Sequence, residues 1–84
     1  MHFVYLIVAK NKKCRISYVG YTNNLKKRLL LHNIGKGAKF TRGRKWNLIY
    51  FKRYKSKNIA LKEEYMLKHN YKLRNQIKKN FIDR

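Results

Sequence analysis

From Phe3 to Val8 every position is apolar or aromatic, with no polar alternation. A continuous β-branched and aromatic run of this length predicts a strand covered on both faces. Asn11-Lys12-Lys13 is a polar break, and Ile16 to Tyr21 returns to strand composition, so the pair predicts an antiparallel hairpin with a basic turn. Thr22-Asn23-Asn24 offers capping oxygens ahead of Leu25, Leu29 and Leu30, whose spacing predicts a helix that stops at Asn33 and Gly35. Ile34 to Lys45 has no apolar period. Trp46 to Tyr54 predicts a third strand, and Ser56 caps a second helix in which Ile59, Ala60, Glu63, Glu64, Leu67 and Lys68 recur by threes and fours. Leu73, Ile77 and Phe81 continue a helical stripe in a separate C-terminal helix. The order β-β-α-β-α-α predicts an α+β fold, a small antiparallel or mixed three-stranded sheet flanked by helices, as one domain over residues 1–84.

Charge changes the picture most. The chain carries 23 Lys or Arg against 3 Asp or Glu, a formal net charge of +20 that calls for a polyanionic partner. The Ile34–Lys45 segment alone holds three Gly and five Lys or Arg, and is expected to lie on the surface as a glycine-hinged basic stretch. A basic disordered tail is excluded, because 44% of the residues are hydrophobic and the aromatics number seven Tyr, four Phe and one Trp. Cys14 is the only cysteine, which rules out an intrachain disulfide and suits a cytoplasmic setting. The longest apolar run, Phe3 to Ala9, falls well short of the roughly 18 residues of a spanning helix, so no membrane partner is expected.

The acids restrict the chemistry further. Glu63, Glu64 and Asp83 are the whole set, too few for the several carboxylates of a two-metal site. Glu63 and Glu64, adjacent on a helix, point about 100° apart and cannot act as a glycosidase pair. One divalent ion on a single Glu remains open, with water and substrate phosphate completing its shell, as does an ordinary surface ion pair between Glu64 and Lys68. His2, His32 and His69 lack ligand spacing, and His32 near the end of its helix is expected to partner helix carbonyls.

Val4-Tyr5, Tyr18-Val19-Gly20, Arg28 and His32 on the next helix, and Glu64 within Ala60 to Lys68 resemble the GIY-YIG nuclease superfamily. The run Asn33 to Arg42, N-I-G-K-G-A-K-F-T-R, is similar to its small stand-alone bacterial members, and the likeness extends from Phe3 to about Lys68. Phe3-Val4 stands where the name-giving Gly-Ile would be, and the turn between Tyr5 and Tyr18 is a few residues longer than usual.

The resemblance implies a phosphodiesterase acting on DNA with one Mg2+ or Mn2+ ion. It makes Tyr5 the residue that helps deprotonate the attacking water, Tyr18 the tyrosine of the second motif, Arg28 the brace on the scissile phosphate and Glu64 the metal ligand. His32 matches a histidine common in the group, and Gly20 keeps the backbone close at the site. A cation field from Arg28 or the metal is expected to lower the Tyr5 pKa. Lys36, Lys39, Arg42, Arg44 and Lys45 are expected to grip flanking phosphates without reading sequence. Branched, single-stranded and duplex DNA all remain open as substrates, RNA is a further candidate, and a repair or recombination complex near the nucleoid is a natural setting. The alternative is a basic binder of RNA or ribosomes without catalysis, since charge, size and aromatics alone predict only that.

Overall fold

The computed structural model describes residues 1–10 and 15–82, so the expected hairpin turn, Cys14 and Asp83 lie outside the described residues. Strands β1 (His2–Lys10), β2 (Arg15–Thr22) and β3 (Trp46–Tyr54) form one antiparallel sheet in the order β2-β1-β3. Helix α1 (Leu25–Asn33) follows β2, a short 3-10 turn covers Lys39–Thr41, and α2 (Lys57–His69) and α3 (Tyr71–Ile82) close the chain. The α+β order β-β-α-β-α-α is therefore present, with a wholly antiparallel sheet. Both expected caps form: the side chain of Asn24 accepts from the Lys27 amide and that of Ser56 from the Ile59 amide.

The unbroken apolar run becomes the central strand, buried from Val4 to Ala9 because both of its faces are covered. Val4 and Leu6 pack with Val19, Ala60 and Leu67, and with the partly buried Ile77 of α3. On the opposite face Tyr5, Ile7 and Ala9 pack with Trp46, Tyr18, Leu25 and Leu29. A register shift keeps β3 in step: Leu6 pairs with Tyr50 but Ile7 with Leu48, so Ile49 is an extra residue. Ile49 and Tyr50 thereby both serve the Val4 face, while Leu48 serves the Tyr5 face. Among the described residues no helix is long and apolar enough to cross a membrane.

Candidate active site

Tyr5 projects from the centre of β1 toward α1, with only 2% of its surface exposed. Gly20 is its cross-strand partner on β2, and a Cβ there would overlap the Tyr5 hydroxyl and ring. Glycine at this position is a space requirement. On α1, Arg28 and His32 stand four residues apart and so share a helix face, and both reach the phenol. The Arg28 Nε donates to Tyr5 Oη at 3.3 Å, and the Tyr5 hydroxyl lies 2.7 Å from His32 Nε2. The other ring nitrogen, Nδ1, lies 2.9 Å from Thr41 Oγ1, whose hydroxyl donates to the Ala38 carbonyl at 2.9 Å. His32 and Thr41 are both fully buried.

The ends of this chain settle its direction. Arg28 Nε only donates and the Ala38 carbonyl only accepts. Thr41 has one hydroxyl proton and spends it on Ala38, so its oxygen accepts from His32 Nδ1–H; Nε2 is then bare and accepts from the Tyr5 hydroxyl. The resting histidine is the neutral Nδ1–H tautomer, assigned by hydrogen bonding alone. Burial, and after it the Arg28 charge, holds the His32 pKa below its ordinary value, in keeping with that neutral form.

Burial also decides the sign at Tyr5. Arg28 alone does not lower its pKa: desolvation of the phenolate pushes it up, and the hydrogen bond and charge of Arg28 offset this only in part. Tyr18 and Glu64 add smaller upward contributions. Arg28 is held above its ordinary value, first by its bond to Tyr5, with burial opposing and the charge and hydrogen bonding of Tyr18 assisting.

The GIY-YIG catalytic domain family model matches residues 1–79. The chain belongs to the GIY-YIG family. It is similar to a UPF0213 protein of Oceanobacillus iheyensis, 44% identical over 68 residues covering 80% of this chain and 76% of the relative. A UPF0213 protein of Clostridium perfringens is 44% identical over 69 residues, covering 81% and 71%. One from Bacillus licheniformis is 39% identical over 83 residues, covering 98% and 79%. No solved structure matches.

Set against the GIY-YIG motifs, the structure brings Tyr5, Arg28, His32 and Gly20 into direct contact. Tyr18 joins them through its ring, edge-on to His32 with centroids 5.2 Å apart. Ala60 and Leu67 set α2 on the Val4 face of the sheet, across from Tyr5, and α2 lies against β1 and β2. The charge of Glu64 reaches Tyr5, whereas the charge of Glu63 acts on Tyr54. The expected pair with Lys68 is present at 3.6 Å, and the Glu64 side chain keeps 21% of its surface exposed.

The glycine-hinged segment differs from expectation. Lys36, Lys39, Arg42 and Lys45 are exposed, but Thr41 is buried beneath them and Gly37 sits against the His32 ring, where a Cβ would overlap Nδ1. A loop lacking an apolar period gives no sign of a polar contact nine residues away, so Thr41 and Gly37 were missed as site residues; the signal available was their place in the Asn33–Arg42 run. Instead of partnering helix carbonyls, the His32 ring faces inward to Tyr5 and Thr41. The segment is fastened at both ends. Asn33 Nδ2 donates to the Trp46 carbonyl at 3.3 Å, its Oδ1 accepts from the Trp46 amide at 2.6 Å, and the Trp46 indole donates to the Thr41 carbonyl at 2.8 Å.

Proposed function

We propose that the chain hydrolyses phosphodiester bonds in DNA, using one Mg2+ or Mn2+ ion. The observation that carries this reading is the directed chain Arg28–Tyr5–His32–Thr41, a largely buried polar relay within a chain of net charge +20. In such a reaction Tyr5 takes a proton from the attacking water as its own passes to His32 Nε2, so Tyr5 need not rest as a phenolate. His32 becomes an imidazolium, keeping its Nδ1 proton on Thr41. As the water oxygen bonds to phosphorus the bond to the leaving oxygen breaks, and that oxygen is protonated from solvent. Arg28 has more donors than the two phenol oxygens beside it require, and the remainder suit a phosphate gaining negative charge.

Glu64 would hold the metal. Among the described residues no three His, Cys, Asp or Glu cluster, so the donor set fits an ion that keeps most of its shell as water and phosphate oxygens, which is magnesium's habit. When bound, such an ion polarises the phosphate and lowers the pKa of its water. Lys36, Lys39, Arg42, Arg44 and Lys45 would hold flanking phosphates. The setting would be the cytoplasm, in repair or recombination of DNA.

The test compares Glu64→Gln with Glu63→Gln on branched, single-stranded and duplex DNA across a magnesium series, with binding measured in chelator. Cleavage should vanish in Glu64→Gln while binding holds or tightens, because a negative charge has left a polyanion's site. Glu63→Gln should cleave like wild type. Loss in Glu63→Gln instead would move the ligand one residue, cleavage surviving in both variants would overturn the assignment of the metal to a glutamate of α2, and no cleavage by the wild type would leave the basic binding module as the function.

A further inference from the structure

Phe40 is out of place by composition. The residue is 50% exposed on the 3-10 turn, in a stretch whose other exposed residues include Lys36, Lys39 and Arg42. It stacks on Tyr18, with centroids 6.2 Å apart and planes at 23°, and tilts against Trp46 at 6.4 Å. The Arg44 guanidinium stands 5.6 Å from its centroid and donates to its carbonyl at 2.9 Å. Inward, Tyr18 meets His32 at 5.2 Å and His32 meets Tyr5 at 5.8 Å. Phe40 is therefore the outer member of a continuous series of rings whose inner member carries the reactive hydroxyl.

We propose that Phe40, flanked by Arg44, is a binding site for one unpaired nucleobase of the strand whose phosphate sits at Tyr5 and Arg28. The proposal rests on the reading that a nucleic-acid strand crosses the Tyr5 site, and adds to it the form of that strand. Phosphates are already provided for by the cations, and a phenyl ring has no donor to give them. The apolar surface of a polyanionic strand is the face of its bases, which aromatic rings and guanidinium planes both stack upon. Inside a duplex each base is covered on both faces by its neighbours. A base that reaches Phe40 has therefore left the stack, in a single strand, a loop or a flipped nucleotide. The station is also preorganised, since Thr41, the next residue, is held by His32, Ala38 and the Trp46 indole.

The experiment is run in chelator, where no strand is cut. Single strands containing 2-aminopurine, abasic strands with the same number of phosphates, and a fully paired duplex are titrated against wild type, Phe40→Leu and Phe40→Trp. Wild type should bind the base-bearing strand about 10-fold more tightly than the abasic one, equivalent to ~1.4 kcal/mol, and quench 2-aminopurine fluorescence. Phe40→Leu, apolar but without a π face, should bring the two affinities to near parity by weakening only the base-bearing strand; Phe40→Trp should restore both preference and quenching. A preference that survives in Phe40→Leu overturns the proposal, as does an equal loss on both strands, which would make the ring a structural prop of the loop. Tighter binding of the duplex than of the single strand also overturns it. Cleavage of the same strands in magnesium is scored separately: quenching without cleavage removes the hydrolase reading and leaves the base site standing.

Discussion

The two faces of β1 alternate residue by residue along one strand, yet they do different work. Val4 and Leu6 look toward α2 and α3 into an apolar core, whereas Tyr5, one position away, looks toward α1 into a hydrogen-bonded relay. The pleat alone separates them. An apolar face is forgiving about which hydrophobic group fills it as long as volume is kept. The polar face is not, because every donor and acceptor from Arg28 to Ala38 has its partner only if all are present and correctly oriented.

The largest expected effect breaks the comparison by exchanging damage between the faces. Tyr5→Phe should slow single-turnover cleavage by about 10²-fold or more, the scale of losing one proton-transfer group. Leu6→Ala should instead destabilise the fold by about 2–5 kcal/mol in denaturant titration, with cleavage intact wherever the protein remains folded. Wild-type turnover in Tyr5→Phe would remove the relay from the chemistry. Next in size, Thr41→Val keeps shape but takes away the acceptor for His32 Nδ1–H, and should slow cleavage about 10-fold, while Thr41→Ser should restore it. Nitrogen NMR of His32 reads the same change directly: the Nδ1–H tautomer should dominate in wild type and in Thr41→Ser and give way to a mixture in Thr41→Val. An unchanged spectrum would show that the tautomer is set elsewhere.

The smallest effect concerns pH and stability. With the His32 pKa below its ordinary value of 6.5 in the folded protein, the unfolded chain takes up the proton first as pH falls. Stability should accordingly be complete above about pH 7 and decline as pH drops through 6.5 toward the folded-state value. His32→Gln should lose that part of the slope, whatever its stability at neutral pH. Identical slopes in thermal unfolding between pH 7.5 and 5 would show that His32 does not stay neutral in the folded protein.

Much of this frame was legible in the sequence because it depends on local patterning. The unalternating run from Phe3 marked a strand buried on both sides, Thr22-Asn23-Asn24 and Ser56 marked helix starts, and Trp46 to Tyr54 was bounded to the residue. Three features were not legible, and each is a matter of how elements meet. The extra residue at Ile49 is visible only once β3 is paired with β1. The direction of the Tyr5 pKa depends on how deeply the ring is sunk, which charge counting does not register. Which side of the sheet α2 covers is the third, since helical spacing reports which residues share a face but not where that face is turned.

The Asn33 amide gives the Ile34–Lys45 loop an unusual autonomy. By holding both the amide and the carbonyl of Trp46 it staples the two roots of the loop together, so the sheet does not depend on what lies between them. Closure entropy grows only slowly with length, and the loop can therefore be lengthened, shortened or recharged as an interchangeable cassette. Two fixtures inside it are exempt: Gly37, which makes room for the His32 ring, and Thr41, which receives its proton. A graft that preserves Asn33, Gly37, Thr41 and Trp46 is therefore the route by which the basic surface can be exchanged while the contacts around Tyr5 and His32 stay in place.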